Sequence, residues 1–349
     1  MGFLNGSSDN IISEEFTQTR LDTPVLFLIY NRPDTAQEVF NAIRKVRPKK
    51  FYVASDGPRP GNASDIHLCK KSRDILLQID WDCELHTRFL DKNLGCDSAV
   101  RSGITWFFEN EEAGIILEDD IVPNRDFFFY CEYLLKKYES HQSVMMISGY
   151  NPVSSSQQFN NGESYYCSRW ASISGWSSWK DRWEKLDMVF TDSKEFLKSW
   201  YRDKYFNMSR EFQILFGHQY EYYSQHPNES PWDLQWCYTL ERYKGVCIVP
   251  RVNLITNIGQ FGYHSNDVDK KSPFLYLPTE HLDVSNLNAP ISLLANKELD
   301  TIRFNHYVSS SGILRHLYLK LLYLLHMVGM NTCTFSRYVE NIYEKFMSR

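Results

Sequence analysis

The chain has 349 residues and a mass of 41.2 kDa, with 43% hydrophobic and 23% charged residues, enough for one large or two ordinary domains with a buried core. A net charge of −5 and a pI near 6.1 exclude the strongly basic face of a nucleic-acid binder. An aromatic content of 15% excludes a disordered chain, and suits either stacking on sugar rings or a plain aromatic core.

Residues 1–20 are polar and Ser/Asn-rich, a loose N-terminal arm. The run VLFLIY at 25–30 predicts a strand buried on both faces of a parallel sheet. A turn, Asn31-Arg32-Pro33-Asp34, follows, with Pro33 able to open a helix over 35–46. FYVA at 51–54 is the next strand and ends in Ser55-Asp56-Gly57-Pro58. The alternation continues with a helix over 64–77, a strand over 83–89, a helix through Ala99, Ile104 and Phe108, and a strand over 114–117 that runs into Glu118-Asp119-Asp120. A helix over 127–138 and a strand over 144–147 complete the first half. Beyond residue 150 come a polar loop (151–168), a compact aromatic segment (170–183), a mostly helical stretch (191–230), a strand over 246–249 and a Gly-containing polar loop over 257–266. Alternating strands and helices predict an α/β fold, a Rossmann-like, mainly parallel sheet flanked by helices. Ligands of such sheets bind at the carboxyl ends of the strands.

The eight cysteines form no C-x-x-C pair and several lie in apolar runs, so reduced core thiols are expected. The start, MGFLNGSSDNIISEEF, lacks the basic and apolar regions of a signal peptide and carries Gly6 where myristoylation wants Ser or Thr. The expected compartment is the cytoplasm.

Three features can carry chemistry. Adjacent carboxylates at Glu118, Asp119 and Asp120 repel one another and are costly to desolvate, a charge problem that a hard divalent cation bridging a diphosphate would solve. A solvated acidic turn capping the next helix, with Asp126 as an alternative cap, would read the same way. Asp56 just past a strand can accept from a ribose hydroxyl or a base N–H, and Arg32 can pair with a diphosphate. Asp233, beside Trp232, is either a partly desolvated base or an ordinary helix-start residue. His264 lies alone in its loop. There is no phosphate-loop, no G-x-G-x-x-G after the first strand and no nucleophile elbow.

Laid out in order, these segments resemble the GT-A nucleotide-sugar glycosyltransferases, above all the N-acetylglucosaminyltransferase I type. LIYNRPDTA (28–36) is similar to that family's first strand and Arg-bearing turn, and FYVASDG (51–57) to its strand ending in a base-binding Asp. IILEDDIVPNRDFFFY (115–130) is similar to its metal-binding strand, loop and helix, and ISGWSSWKDRWEKL (173–186) to its acceptor-side segment. PWDLQWCYTLERYKGVCIVPRVNLITNIGQFG (231–262) resembles the stretch with its catalytic Trp-Asp. DKNLG (91–95) also fits. The resemblance implies a GT-A domain over 21–270, divided near 150 into a nucleotide-sugar half and an acceptor half, with a C-terminal extension over 271–349. It implies Asp120 as ligand of Mn²⁺ or Mg²⁺, Glu118 and Asp119 on the ribose and donor sugar, Arg32, Asp56 and Lys92 on the nucleotide, and Asp233 as general base. The donor would be a nucleoside-diphosphate sugar, a UDP-sugar favoured, and the acceptor a glycan or lipid-linked saccharide. Leu234 departs from the family, which has a second acidic residue there, and no stretch resembles the family's signal anchor or C-terminal domain.

Two other readings stand beside this one: a sugar-1-phosphate nucleotidylyltransferase, which shares the α/β layout, and a non-catalytic carbohydrate-binding protein of the same fold. Residues 313–330 (ILRHLYLKLLYLLHMVGM) place Leu314, Leu317, Leu321, Leu324, Leu325 and Val328 at helical spacing. Arg315, His316, Lys320 and His326 interrupt the run, which makes it a poor spanning helix. It is expected either to pack on the domain or to lie in a membrane interface as a peripheral contact.

Overall fold

A computed structural model describes residues 20–154, 162–206, 209–259 and 274–310, with residues 317, 320, 321 and 324. The N-terminal arm, the loop carrying His264 and most of the 313–330 segment lie outside the described residues.

The first strands form where the apolar runs are continuous. β1 (Val25–Ile29), β2 (Lys50–Ser55), β3 (Glu84–Phe89) and β4 (Ala113–Glu118) lie side by side in the order β3-β2-β1-β4, all parallel. The chain moves outward from β1 to β3 and then crosses back to the other side of β1, so a switch point opens between β1 and β4, the place where such sheets bind ligands. β6 (Val144–Ser148) and β9 (Val246–Pro250) run in the same direction as these four. β7 (Tyr165–Ser168) and β8 (Trp176–Trp179) run the other way, completing an eight-stranded sheet of order β3-β2-β1-β4-β8-β6-β9-β7. The protein is thus α/β, with a mixed, mostly parallel sheet.

The two-residue period of the strands divides the core. Val25, Phe27 and Ile29 face α1 (Pro33–Val46) and α4 (Arg125–Tyr138), while Leu26 and Leu28 face α3 (Cys96–Asn110) and α8 (Trp232–Arg242) on the opposite side. Pro33 opens α1 as expected. α2 (Ala63–Asp74) is capped by Asn62, whose side chain accepts the N–H of Asp65 at 3.1 Å. α4 is capped by Asn124, which accepts the N–H of Phe127 at 3.0 Å. Asp126, the alternative cap from sequence, instead accepts from His281 Nδ1 (2.8 Å) and the Leu282 N–H (2.9 Å), pinning a later segment to α4.

Of the antiparallel strands, β7 was hidden in the stretch expected as a polar loop (151–168) and β8 in the compact aromatic segment (170–183), and two further short strands were not expected. β5 (Ile121–Pro123) pairs with β10 (Ile255–Asn257) in a two-stranded ribbon that folds the chain back over the end of β4. A third, aromatic core cluster joins α6 (Ser193–Arg202), α7 (Arg210–Gln225), the outer side of α8 and α9 (Lys297–Ser310). Residues 274–310 do not stand apart: Leu282, Val284 and Leu299 join the cores on the two faces of the sheet. The seven described cysteines form no disulfide. Among the described residues no helix is long and apolar enough to cross a membrane.

The α3–α8 face centres on four indoles. Trp236, fully buried, lies 6.0 Å from Trp176 and 5.4 Å from Trp183, and its Nε1–H points at Met146 Sδ at 3.3 Å. Trp236→Ala is therefore expected to cost about 3–5 kcal/mol of stability. Urea unfolding of the variant checks this; a loss under about 1 kcal/mol would mean the site collapses around the cavity.

Candidate functional site

β4 is buried between β1 and β8 until its last residue, and the chain leaves the sheet as Glu118, Asp119 and Asp120. Arg32, brought across by the turn between β1 and α1, meets two of the three: Nη1 donates to Asp120 Oδ2 at 2.9 Å and Nη2 donates to Asp119 Oδ1. Asp119 is 3% exposed and its Oδ2 also accepts the N–H of Tyr30 at 3.1 Å. Burial disfavours a charged Arg32, but Asp119 and Asp120 outweigh it and hold the guanidinium above its usual pKa. Glu118 accepts no hydrogen bond from the described residues. Burial, then the charges of Asp120 and Asp119, push its carboxyl well above the usual range against the pull of Arg32. Asp119 is also raised, by burial, with Arg32 opposing. Three carboxylates thus face one guanidinium, and the imbalance sits on the wall of a cleft of about 1080 Å³.

The ribbon strand β10 brings Gly259 against this turn. A Cβ at Gly259 would collide with the carboxylate of Asp120, so a side chain there would push that carboxylate from its present position. The main chain is tied as well, Ile258 N–H donating to Asp120 O at 2.9 Å.

Arg32, Asp56, Glu118, Asp119 and Asp120 all line this one cleft. Asp56 is 8% exposed, and its carboxylate already takes the N–H groups of Gly57 (2.8 Å) and Leu94 (2.9 Å) and the Asn93 side-chain amide (2.8 Å). Burial raises its pKa, with the Leu94 and Gly57 N–H groups opposing. Asp56 therefore knits the loop after β2 to the loop after β3. Gly57 makes the junction possible, because a Cβ there would run into the backbone of Lys92. Lys92 itself is exposed and is not among the residues lining the cleft; its neighbour Asn93 is.

Beneath the junction Arg73 donates to Ser55 Oγ (3.0 Å), Asp56 O (3.0 Å) and Leu90 O (2.8 Å), fastening the ends of β2 and β3. Asp65, in the first turn of α2 and 2% exposed, gathers Arg59 (Nη2–Oδ1 2.8 Å), Tyr30 Oη–H (2.8 Å) and the Asn31 amide (2.9 Å). Arg59, Tyr30 and Asn31 all line the cleft. Hydrogen bonding from Arg59, ahead of an opposing burial effect, holds the Asp65 carboxyl well below the usual range.

Asp233, in the first turn of α8, is not one of the lining residues, yet its charge bears on Glu118 and on Cys96, which are. Its Oδ1 accepts the N–H of Leu234 at 2.8 Å. Burial raises its pKa, opposed by that N–H and reinforced by the charge of Asp97. The structure thus gathers Arg32, Asp56 and the acidic turn, sets Asp233 beside them and leaves Lys92 outside. It adds Tyr30, Asn31, Arg59, Arg88 and Asn93 to the cleft. Arg88 forms no ion pair among the described residues and only a long bond to Ser102 Oγ, 3.3 Å. Little in the sequence marks these; Asn93 beside Lys92 and Arg59 in its Gly-Pro-Arg-Pro turn came nearest.

No three His, Cys, Asp or Glu side chains among the described residues converge to hold a metal ion by themselves. The donor set still fits Mg²⁺ or Mn²⁺, which take one or two carboxylates and complete their shell with phosphate and water. Asp120 faces the cleft, and its neighbourhood carries excess negative charge. No protein-family model and no curated protein matches this chain.

Asp65→Asn is expected to lower the Tm at pH 7. A depressed folded-state pKa contributes stability that is complete above the unfolded value of about 3.9 and is lost as pH falls through the lower folded value. The Tm gap between wild type and Asp65→Asn should therefore be constant near neutrality and shrink in acid; a gap that widens on acidification would contradict the clamp.

Proposed function

We propose that this chain is a metal-dependent, inverting glycosyltransferase of the GT-A type, moving a sugar from a nucleoside-diphosphate sugar, UDP-sugar favoured, to a hydroxyl of a glycan or lipid-linked saccharide. The observation that carries the reading is the unbalanced acidic turn at the end of β4, sharing one cleft with Arg32 and Asp56 at the carboxyl ends of parallel strands. β4 and β2 are two strands apart, about 10 Å across the sheet. A nucleoside diphosphate spans such a gap with its phosphates at one end and its base at the other.

Each residue then has a task. Arg32 holds Asp119 and Asp120 in place and offers its guanidinium to the diphosphate. Asp56 offers a carboxylate oxygen to the base or ribose. A divalent cation, held by Asp120 and the donor's own phosphates, would supply neutralisation of the leaving diphosphate. Asp233 Oδ2 takes the proton of the acceptor hydroxyl as that oxygen bonds to the anomeric carbon and the carbon–diphosphate bond breaks on the opposite face. The raised pKa of Asp233 makes it a stronger base than an exposed aspartate.

The C-terminal segment fits a lipid-linked acceptor. Leu317, Leu321 and Leu324 are helical and 57%, 42% and 60% exposed, a spacing that puts them on one helix face with exposed Lys320 beside them. Such a face suits the interface of an anionic membrane. The protein should sediment with anionic liposomes and be released by high salt; sedimentation equal to that with neutral liposomes would remove the membrane from the reading.

Two variants separate binding from transfer. Asp120→Asn should abolish metal-dependent turnover with the fold retained, and near wild-type activity in saturating Mn²⁺ would sink the metal role. Asp233→Asn should keep UDP binding and lower transfer by about 10²–10⁴-fold, the usual contribution of a general base. If UDP affinity fell as steeply as turnover, Asp233 would belong to binding instead.

A further inference from the structure

We propose that Asp97 is a positioning residue for Asp233, fixing the start of α8 against the cleft from the first turn of α3; this rests on the reading of Asp233 as the base. α8 begins without a cap of its own. Pro231 precedes it, and a proline side chain offers no acceptor to the orphan N–H groups of a first turn. The acceptor comes from another element: Asp97 Oδ1 takes the N–H of Trp232 at 3.1 Å, one residue before the base.

That bond matters because Asp233 has no other anchor. Its side chain accepts only from its own first turn, the Leu234 N–H at 2.8 Å among them, and it forms no ion pair with the described residues. Where the carboxylate points is therefore decided by where the first turn of α8 sits. On one side that turn is held by the indole of Trp232, stacked 6.1 Å from Trp176; on the other it is held by Asp97. Asp97 is the second residue of α3, and its neighbours Gly95, Cys96, Ala99 and Val100 line the cleft. The Asp97 bond joins the wall a donor would touch to the first turn of the helix that carries the base.

The groups facing Asp233 are Cys96 and Asp97 from α3, Glu118 from the end of β4 and Cys237 one turn along α8. Arg101, one turn along α3 from Asp97, is engaged with Gln235 Oε1 at 3.3 Å. The charge of Asp97 also opposes ionisation of Asp233, so removing it should make Asp233 more acidic.

The test uses the full chain with Mn²⁺, a UDP-sugar and its acceptor. Asp97→Ala removes the acceptor oxygen; Asp97→Asn keeps one and removes the charge. The expected result is a kcat about 10–100-fold lower in Asp97→Ala, the scale of a misplaced reacting group, with UDP affinity within about threefold of wild type on the same grounds. Asp97→Asn should recover most of kcat while its acidic limb moves to lower pH. Equal losses in both variants, or UDP affinity falling in parallel with kcat, overturn the proposal. So does an unmoved acidic limb in Asp97→Asn, which carries the test if Asp97→Ala does not fold. Amide exchange at Trp232 gives a readout independent of turnover: faster in Asp97→Ala than in wild type and Asp97→Asn is expected, and equal protection in all three refutes the cap. A wild-type protein that transfers nothing refutes the base reading instead, and the Trp232 exchange still decides the cap.

Discussion

Three carboxylates on consecutive residues, with one guanidinium to answer them, set the conditions that the surrounding structure meets. Unpaired charge at the edge of a buried sheet is expensive. Arg32 meets two of the three, and it can do so because Pro33 starts α1 at once and leaves Arg32 at the helix entrance, beside the end of β4. Tyr30 adds a backbone N–H to Asp119 from the same turn. The strand ribbon β5–β10 returns the chain over Asp120, and Gly259 is the residue that tolerates the contact. What stays uncompensated is Glu118, raised above the usual carboxylate range and facing the cleft. A site built this way favours positive charge, and on that ground a cation with a phosphate-bearing ligand is proposed as its occupant.

The rest of the cleft is made from loops that bind one another before they bind anything else. Asp56 spends three acceptor directions on Gly57, Leu94 and Asn93, and Asp65 spends its own on Arg59, Tyr30 and Asn31. Residues so engaged are held in one rotamer, and a ligand that meets them pays little further ordering entropy. The same preorganisation reaches Asp233 only indirectly, through the start of α8.

Apart from the three-residue β5, the strands and helices of the first half could be read from the sequence because they are continuous or periodic runs bounded by Gly, Pro or acidic turns, as in VLFLIY before Asn31-Arg32-Pro33. The antiparallel strands β7 and β8 could not. Each is four residues long, and Trp176 to Trp179 (WSSW) shows no two-residue alternation inside a Ser-rich stretch; its strand state comes from pairing with β4 and β6 at long range. The acidic turn, Arg32 and Asp56 were legible because strand ends announce themselves. Lys92 was named where Asn93 does the contacting, since a charge is conspicuous in a sequence and an amide is not. Asp65 and Asp97 were invisible for another reason. Both look like ordinary first-turn acids, and their partners lie up to 135 residues away in the chain.

The aromatic content admitted two uses, stacking on sugars or filling a core, and its placement distinguishes them. The four indoles at 176, 183, 232 and 236 pack together between the sheet and α3, α5 (Lys180–Trp183) and α8, and the rings of Phe190, Trp200, Phe206, Phe212 and Tyr220 fill the satellite core. Among the described residues lining the cleft only Tyr30 is aromatic, and its hydroxyl is already bonded to Asp65. The described lining combines guanidiniums, carboxylates and amides with aliphatic side chains such as Leu28, Ile29, Leu90 and Val100, so the orientation of a ligand there rests on charge and hydrogen bonds. Their strength falls steeply with misplacement and with water. The aromatic mass still serves the site, because a core of rings on both sides of α8 keeps the polar groups at its start from drifting, and a cleft that reads its ligand by hydrogen bonds needs that rigidity more than one that reads it by stacking.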